Sequence, residues 1–253
     1  MNLVDSCVCA LRMKGRLALI LGLSCIVLLA GSSCEAKGQM PPDNPGKDLS
    51  LPVPAGAGAA RRIVVRANQL PSAQGWTYLA AGNAEPEVAV FSTDGQVLRQ
   101  NSIACGFPPH NGSGMNGYCY YNVVDRTQPF FLGVRARLLT ERVAPSGSLH
   151  FGFAFGLYTD TETVVIGLGD KVIQDNGLHV LSTSIDTRLF HDYRIEGDFE
   201  SHGYRLYVDG VLLHQGQMLA YHDRNYLFLG DATGGTNAMA EISQFTFYQG
   251  PVW

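Results

Sequence analysis

Glu196-Gly197-Asp198-Phe199-Glu200 places three carboxylates at alternate positions, the spacing that a β-strand projects from a single face. Two carboxyl groups facing each other across a glycosidic bond are the machinery of glycoside hydrolysis. The neighbouring residues argue for a connection instead: Gly197, Ser201, His202 and Gly203 are turn formers, so the trio is expected exposed, at a strand end or turn. Upstream, Leu149 to Tyr158 carries no carboxylate, and Asp160-Thr161-Glu162 falls at a loop. The chain has no G-x-S-x-G, no H-E-x-x-H, no phosphate loop and no dinucleotide fingerprint. His110, His150, His179, His191, His202, His214 and His222 are dispersed. The resulting expectation is that the chain is not an enzyme, with catalytic residues none and hydrolysis by Glu196 and Glu200 kept as an alternative.

The elements that position these residues read as short strands. Most candidates show period-two alternation with turn residues at their ends, among them Val88 to Ser92, Phe130 to Leu138, Thr163 to Gly169, His191 to Ile195, Tyr204 to Val208 and Tyr226 to Gly230. Leu149, Phe151, Phe153, Phe155 and Leu157 fall on one face of a strand, which is expected to be core. Asp209-Gly210 between two β-rich runs predicts a type I′ turn, pairing Val208 with Val211 and Leu206 with Leu213, all four pointing inward. No segment sustains a capped helical period. An all-β jelly roll of two antiparallel sheets is the consistent architecture.

The run Phe190-His191-Asp192-Tyr193-Arg194-Ile195, leading into Tyr204-Arg205-Leu206-Tyr207-Val208-Asp209-Gly210-Val211-Leu212-Leu213, resembles the closing section of the concanavalin A-like lectin/glucanase superfamily, in particular its laminin G-like domains. Tyr226 to Asp231 and Ala240 to Tyr248 are similar to the last two strands of such domains, and the likeness covers roughly Gln69 to Gln249. Hydrolases of that superfamily carry E-x-D-x-E on an inner strand well before the H-x-Y segment, whereas Glu196 to Glu200 here follows it. The resemblance implies calcium as the one cofactor, with Asp231, Asn237 and Glu241 as oxygen donors. It also implies ligand binding by aromatic and polar side chains on the concave sheet or rim loops. The candidates are Phe107, His110, Asn111, Tyr118, Tyr120, Tyr121, Tyr221, His222 and Asn225.

At the front, Arg12, Lys14 and Arg16 precede a 14-residue apolar run from Leu17 to Ala30, too short to span a bilayer comfortably and typical of a secretory signal. Met13 makes a tidier start than Met1. Gly31-Ser32-Ser33-Cys34 resembles a bacterial lipobox, which would acylate Cys34 and tether the chain through lipid alone. Cleavage after Ala36 competes with it. The expected organisation is a signal peptide over 1–36, a Pro- and Gly-rich linker over 37–60 and the jelly roll over 61–253. Beyond the signal only Cys105 and Cys119 remain, and a disulfide between them would constrain their Gly- and Pro-rich loop by about 3 kcal/mol. Loss of 1–36 removes three cations and two anions, taking the formal charge from −4 to −5. The remaining Lys and Arg are scattered, so nucleic acid is not an expected partner.

The expected function is thus an exported carbohydrate-binding or adhesion domain, secreted, periplasmic or lipid-anchored, whose partner is a glycan or cell-envelope surface component. A structural or protein-binding module of the cell envelope is the first alternative.

Overall fold

Alternation along His191–Asp198 shows how the sequence sorts its side chains: Tyr193 and Ile195 are buried inward, while Arg194 and Glu196 point out. A computed structural model describes residues 61–81, 85–105, 115–143, 151–222, 224–233 and 235–250. The expected signal peptide, linker and lipidation site, Cys34 included, lie outside the described residues. Every strand pairing among the described residues is antiparallel. The strands form two sheets, the jelly-roll sandwich that the sequence implies.

The first sheet contains β1 (Arg61–Val65), β3 (Phe91–Thr93), β4 (Leu98–Asn101), β6 (Phe130–Val143), β11 (His191–Asp198), β12 (Gly203–Val208), β13 (Val211–Gln217) and β16 (Thr236–Gln249). Its order is β13-β12-β11-β6-β16-β4-β3, with β1 also paired to β16. The second contains β2 (Thr77–Ala81), β5 (Met115–Tyr121), β7 (Phe153–Tyr158), β8 (Glu162–Gly169), β9 (Val172–Asp175), β10 (Val180–Ser182), β14 (Leu219–Ala220) and β15 (Tyr226–Asp231). Its order is β10-β9-β8-β7-β15-β5-β2, with β14 joined to β8. The inner faces meet in one core that includes Leu132, Val134, Phe153, Phe155, Ile166, Leu206, Leu227, Phe245 and Phe247. In β16 the register shifts between Ile242 and Gln244. That extra residue moves the inward set from Ala238, Ala240 and Ile242 to Phe245 and Phe247.

Four local expectations are corrected. Val88 does not begin a strand: Glu87–Val90 is a helical turn after Pro86, whose fixed φ of −66° suits the entry, and β3 starts at Phe91. Phe151 does not share the core with Phe153, because the chain bends at Gly152, where a Cβ would fall 2.6 Å from the Asn237 backbone. Phe151 packs instead on the outer face of the second sheet. In the hairpin, Asp209 and Gly210 take the positive φ values of a type I′ turn (51° and 82°), and Val208 pairs with Val211. A register shift then sets Leu206 opposite His214, and Val211 on the edge strand is 71% exposed. Finally, Glu196 and Gly197 belong to β11 and not to a turn, since Gly197 is where the Phe130 ring lies over the strand, 2.2 Å from any Cβ placed there.

Candidate functional site

In the second sheet, Tyr121 on β5, Tyr226 on β15 and Tyr158 on β7 are directly opposite one another in register. Each follows from strand parity. Tyr118 and Tyr120 face the core, so Tyr121 faces out; Leu227 faces the core, so Tyr226 faces out; and Leu157 does the same for Tyr158. Strands about 4.8 Å apart then bring the rings together. Ring centroids are 5.6 Å apart for Tyr121 and Tyr226, and 4.6 Å for Tyr226 and Tyr158. Tyr221, just past β14, extends the row, 5.2 Å from Tyr158 and edge-on to it. The row rests against an apolar outer-face cluster of Cys119, Phe151, Ala154, Val165 and Phe228.

Orientation decides what the row offers. Tyr158 and Tyr226 are stacked, 23° from parallel, so each spends a face on the other. Tyr121 and Tyr221 stand edge-on at the two ends, and Tyr221 is 42% exposed. The result is an aromatic ridge that ends in an accessible ring, suited to a ligand that combines apolar patches with hydroxyls.

Polar groups gather at the Tyr221 end. The Tyr221 amide donates to the Thr161 carbonyl (2.9 Å), and His222 Nδ1 lies 3.1 Å from the Asp160 carbonyl. Arg126 reaches Asp160 at 3.4 Å, and His202 Nδ1 lies 2.8 Å from the Glu162 carboxylate. Glu162 is almost fully buried, with Oε1 lacking a hydrogen bond.

Of the remaining ligand candidates, Tyr118 is fully buried and its hydroxyl donates to Glu87 (2.7 Å). Tyr120 is half-buried, edge-on to Trp76. Asn225 is a backbone clamp: its Oδ1 accepts from the Val123 and Val124 amides (3.0 and 2.9 Å) and its Nδ2 donates to the Val124 carbonyl (2.5 Å). Phe107, His110 and Asn111 lie outside the described residues. The structure therefore brings together Tyr121, Tyr221 and His222, and adds Tyr158 and Tyr226, which sequence reasoning missed.

The oxygen donors proposed for calcium are otherwise engaged. Glu241 accepts from Arg99 (2.8 Å) and Arg137 (2.9 Å), and those contacts hold its carboxyl below the ordinary range despite the opposing effect of burial. Asp231 is buried, 2.5 Å from Ser102 Oγ, and accepts from the Thr233 amide. Asn237 lies on β16, in the other sheet from Asp231. Among the described residues, no group of three or more His, Cys, Asp or Glu is placed to hold a metal ion. Cys119 is buried in the outer-face cluster, and the Cys105 side chain lies outside the described residues.

The carboxylate trio sits on the outer face of the first sheet, at its end. Asp198 closes β11 and Glu200 lies in the following turn, both exposed as expected. Glu196 departs from the expectation: it is a strand residue, only 22% exposed, between Arg194 (3.4 Å) and Arg205 (3.3 Å). With Gln215, Gln217 and Gly203, the trio lines a groove of about 630 Å³.

No protein-family model matches the chain, and no curated protein sequence matches it. Solved structures do. A sialidase matches at 9% identity and a TM-score of 0.47 over 69% of this chain, which spans only 17% of that protein. A carbohydrate esterase from the Shiga toxin-encoding bacteriophage phi24B matches at 11% and 0.47, over 75% of this chain and 98% of the esterase. A Bacillus licheniformis beta-glucanase matches at 14% and 0.41, over 74% and 97%. The expectation that the chain is not an enzyme is corrected by these matches, which are mostly to enzymes. The absence of one carboxylate pattern does not exclude chemistry on a fold that hosts many sites.

Proposed function

We propose that the domain holds a carbohydrate chain on the outer face of its second sheet, against the row Tyr121, Tyr226, Tyr158 and Tyr221. The observation that carries this reading is the in-register row itself, ending in the accessible Tyr221 ring. Sugars present apolar C–H faces beside hydroxyls, so an aromatic ring supplies contact area while nearby polar groups bond the rim. His222, Asp160 and Arg126 stand beside Tyr221 for that purpose. The resemblance to the concanavalin A-like superfamily and the carbohydrate-acting proteins of similar fold agree with the reading.

A glycan array probed with the purified chain tests it. Saturable binding that weakens in Tyr221→Ala and Tyr158→Ala is the expected result. Binding indifferent to both substitutions, or silence across the array, would overturn it. Assaying the bound polymers for newly formed chain ends then shows whether the held chain is also cleaved.

A further inference from the structure

The groove on the first sheet has a construction of its own. Glu196, Arg205 and Gln215 are directly opposite one another across β11, β12 and β13, and the next outward row is Asp198, Gly203 and Gln217. Gly203 has no side chain between the carboxylate and the amide, and the Ser201 hydroxyl and Gln217 amide come within 3.2 and 3.8 Å of where its Cβ would stand, so it forms the floor of the groove. Its walls are planar polar groups, of which Glu196 is the one held in place. Glu196 is held by two guanidiniums, and Arg194 in turn lies 4.0 Å over the Tyr207 ring. Gln215, Asp198 and Arg205 are exposed along the trough. The volume, about 630 Å³, falls within the roughly 300–1,000 Å³ usual for small-molecule sites.

We propose that the trough over Gly203 is a second saccharide site, so that one domain holds two glycan chains, one on each outer face. Carboxylate, amide and guanidinium groups in one row bond the vicinal hydroxyls of a sugar from both sides, as acceptors and donors together. The lining sets three carboxylates, Glu196, Asp198 and Glu200, against the one guanidinium of Arg205, a net negative field that suits a neutral, hydroxyl-rich ligand better than an anion. Two sites on opposite sheets cannot be filled by one short oligosaccharide. On a polymer surface they would bridge neighbouring chains and raise retention through effective concentration. The choice of ligand class rests on the carbohydrate reading of the tyrosine row.

Calorimetric titration of the full chain with β-1,3-linked and β-1,4-linked glucose tetrasaccharides and a mannuronate tetrasaccharide tests the proposal. The expected result is two sites per chain for at least one probe. One site should be lost in Tyr158→Ala with Tyr221→Ala, and the other in Asp198→Ala with Gln215→Ala, whose exposed positions leave the fold intact. A single site that disappears with the tyrosines overturns the second site and leaves the tyrosine reading standing. A single site lost only with Asp198 and Gln215 keeps the trough and overturns the tyrosine reading. Absence of binding by every probe contradicts both.

Discussion

Tyr158 and Tyr226 face each other across neighbouring strands, with ring centroids 4.6 Å apart and planes 23° from parallel. Neither ring stands alone: Tyr226 also meets Tyr121, and Tyr158 also meets Tyr221. Removing Tyr226 takes away the support for the whole ridge. Tyr226→Ala should lower the free energy of unfolding by about 3 kcal/mol, as large-to-small changes at buried aromatics do, and weaken saccharide binding with it. Tyr226→Phe keeps the stack and should stay within about 1 kcal/mol of the parent. Urea unfolding of the two variants provides the comparison.

Asn225 joins the segment before β15 to the one after β5, with three hydrogen bonds to the backbone of Val123 and Val124. Asn225→Ala strands two amides and a carbonyl, so a loss of about 2 kcal/mol is expected. A role in ligand contact would instead lower affinity and leave the melting temperature unchanged.

His191 Nδ1 lies 2.6 Å from Asp209 Oδ2, and its Nε2 lies 3.0 Å from the Asp186 carbonyl. Two acceptors favour the doubly protonated ring. The Asp209 hydrogen bond raises the His191 pKa, outweighing burial. Burial pushes Asp209 up, but His191 and the Asp192 amide bring it below its ordinary value. Because the histidine is raised in the folded state, its contribution is complete below the unfolded value near 6.5 and disappears as pH rises through the folded one. The Asp209 contribution is present above its unfolded value near 3.9 and is lost as pH falls through the folded one. Stability should therefore decline as pH climbs above about 6.5. His191→Ala should flatten that decline and cost about 1 kcal/mol at pH 6, a figure reduced because Asp209 is half exposed. Denaturation midpoints at pH 6 and pH 9 decide the matter.

The two sheets were legible from period-two alternation, since inward Tyr193, Ile195 and Leu206 announce themselves at every second position. The tyrosine row was not. Tyr121, Tyr158 and Tyr226 come from β5, β7 and β15, which are neighbours in space but far apart in the chain, and only sheet order brings them into register. Parity within each strand was the one available signal. Gly197 misled for a different reason: a glycine that reads as a turn former serves inside β11 as the seat for Phe130. The edge position of β13 likewise left Val211 outside a core that its hydrophobicity alone would assign it to.

Asp231 is a buried carboxyl beside Ser102, and burial raises its pKa well above the ordinary range. A raised acid contributes stability below its unfolded value and loses it as pH rises through the folded one. Asp231→Asn keeps an acceptor for the Thr233 amide and removes the buried charge; its amide NH2 then donates to the Ser102 hydroxyl, which turns its own proton to the Ala238 carbonyl 3.3 Å away. Asp231→Asn should be at least as stable as the parent at pH 8, whereas Asp231→Ala should lose about 2 kcal/mol. Thermal unfolding of both variants at pH 5 and pH 8 checks the sign.

The Tyr221 ring ends the row and is 42% exposed, the part of the ridge most open to a ligand. Affinity of the parent chain and of Tyr221→Ala for the strongest ligand on the array, measured by calorimetry in one buffer, isolates that ring. The expected outcome is about a tenfold loss, equivalent to about 1.4 kcal/mol, with an unchanged melting temperature. Equal affinity in the two proteins would contradict a saccharide site on this face.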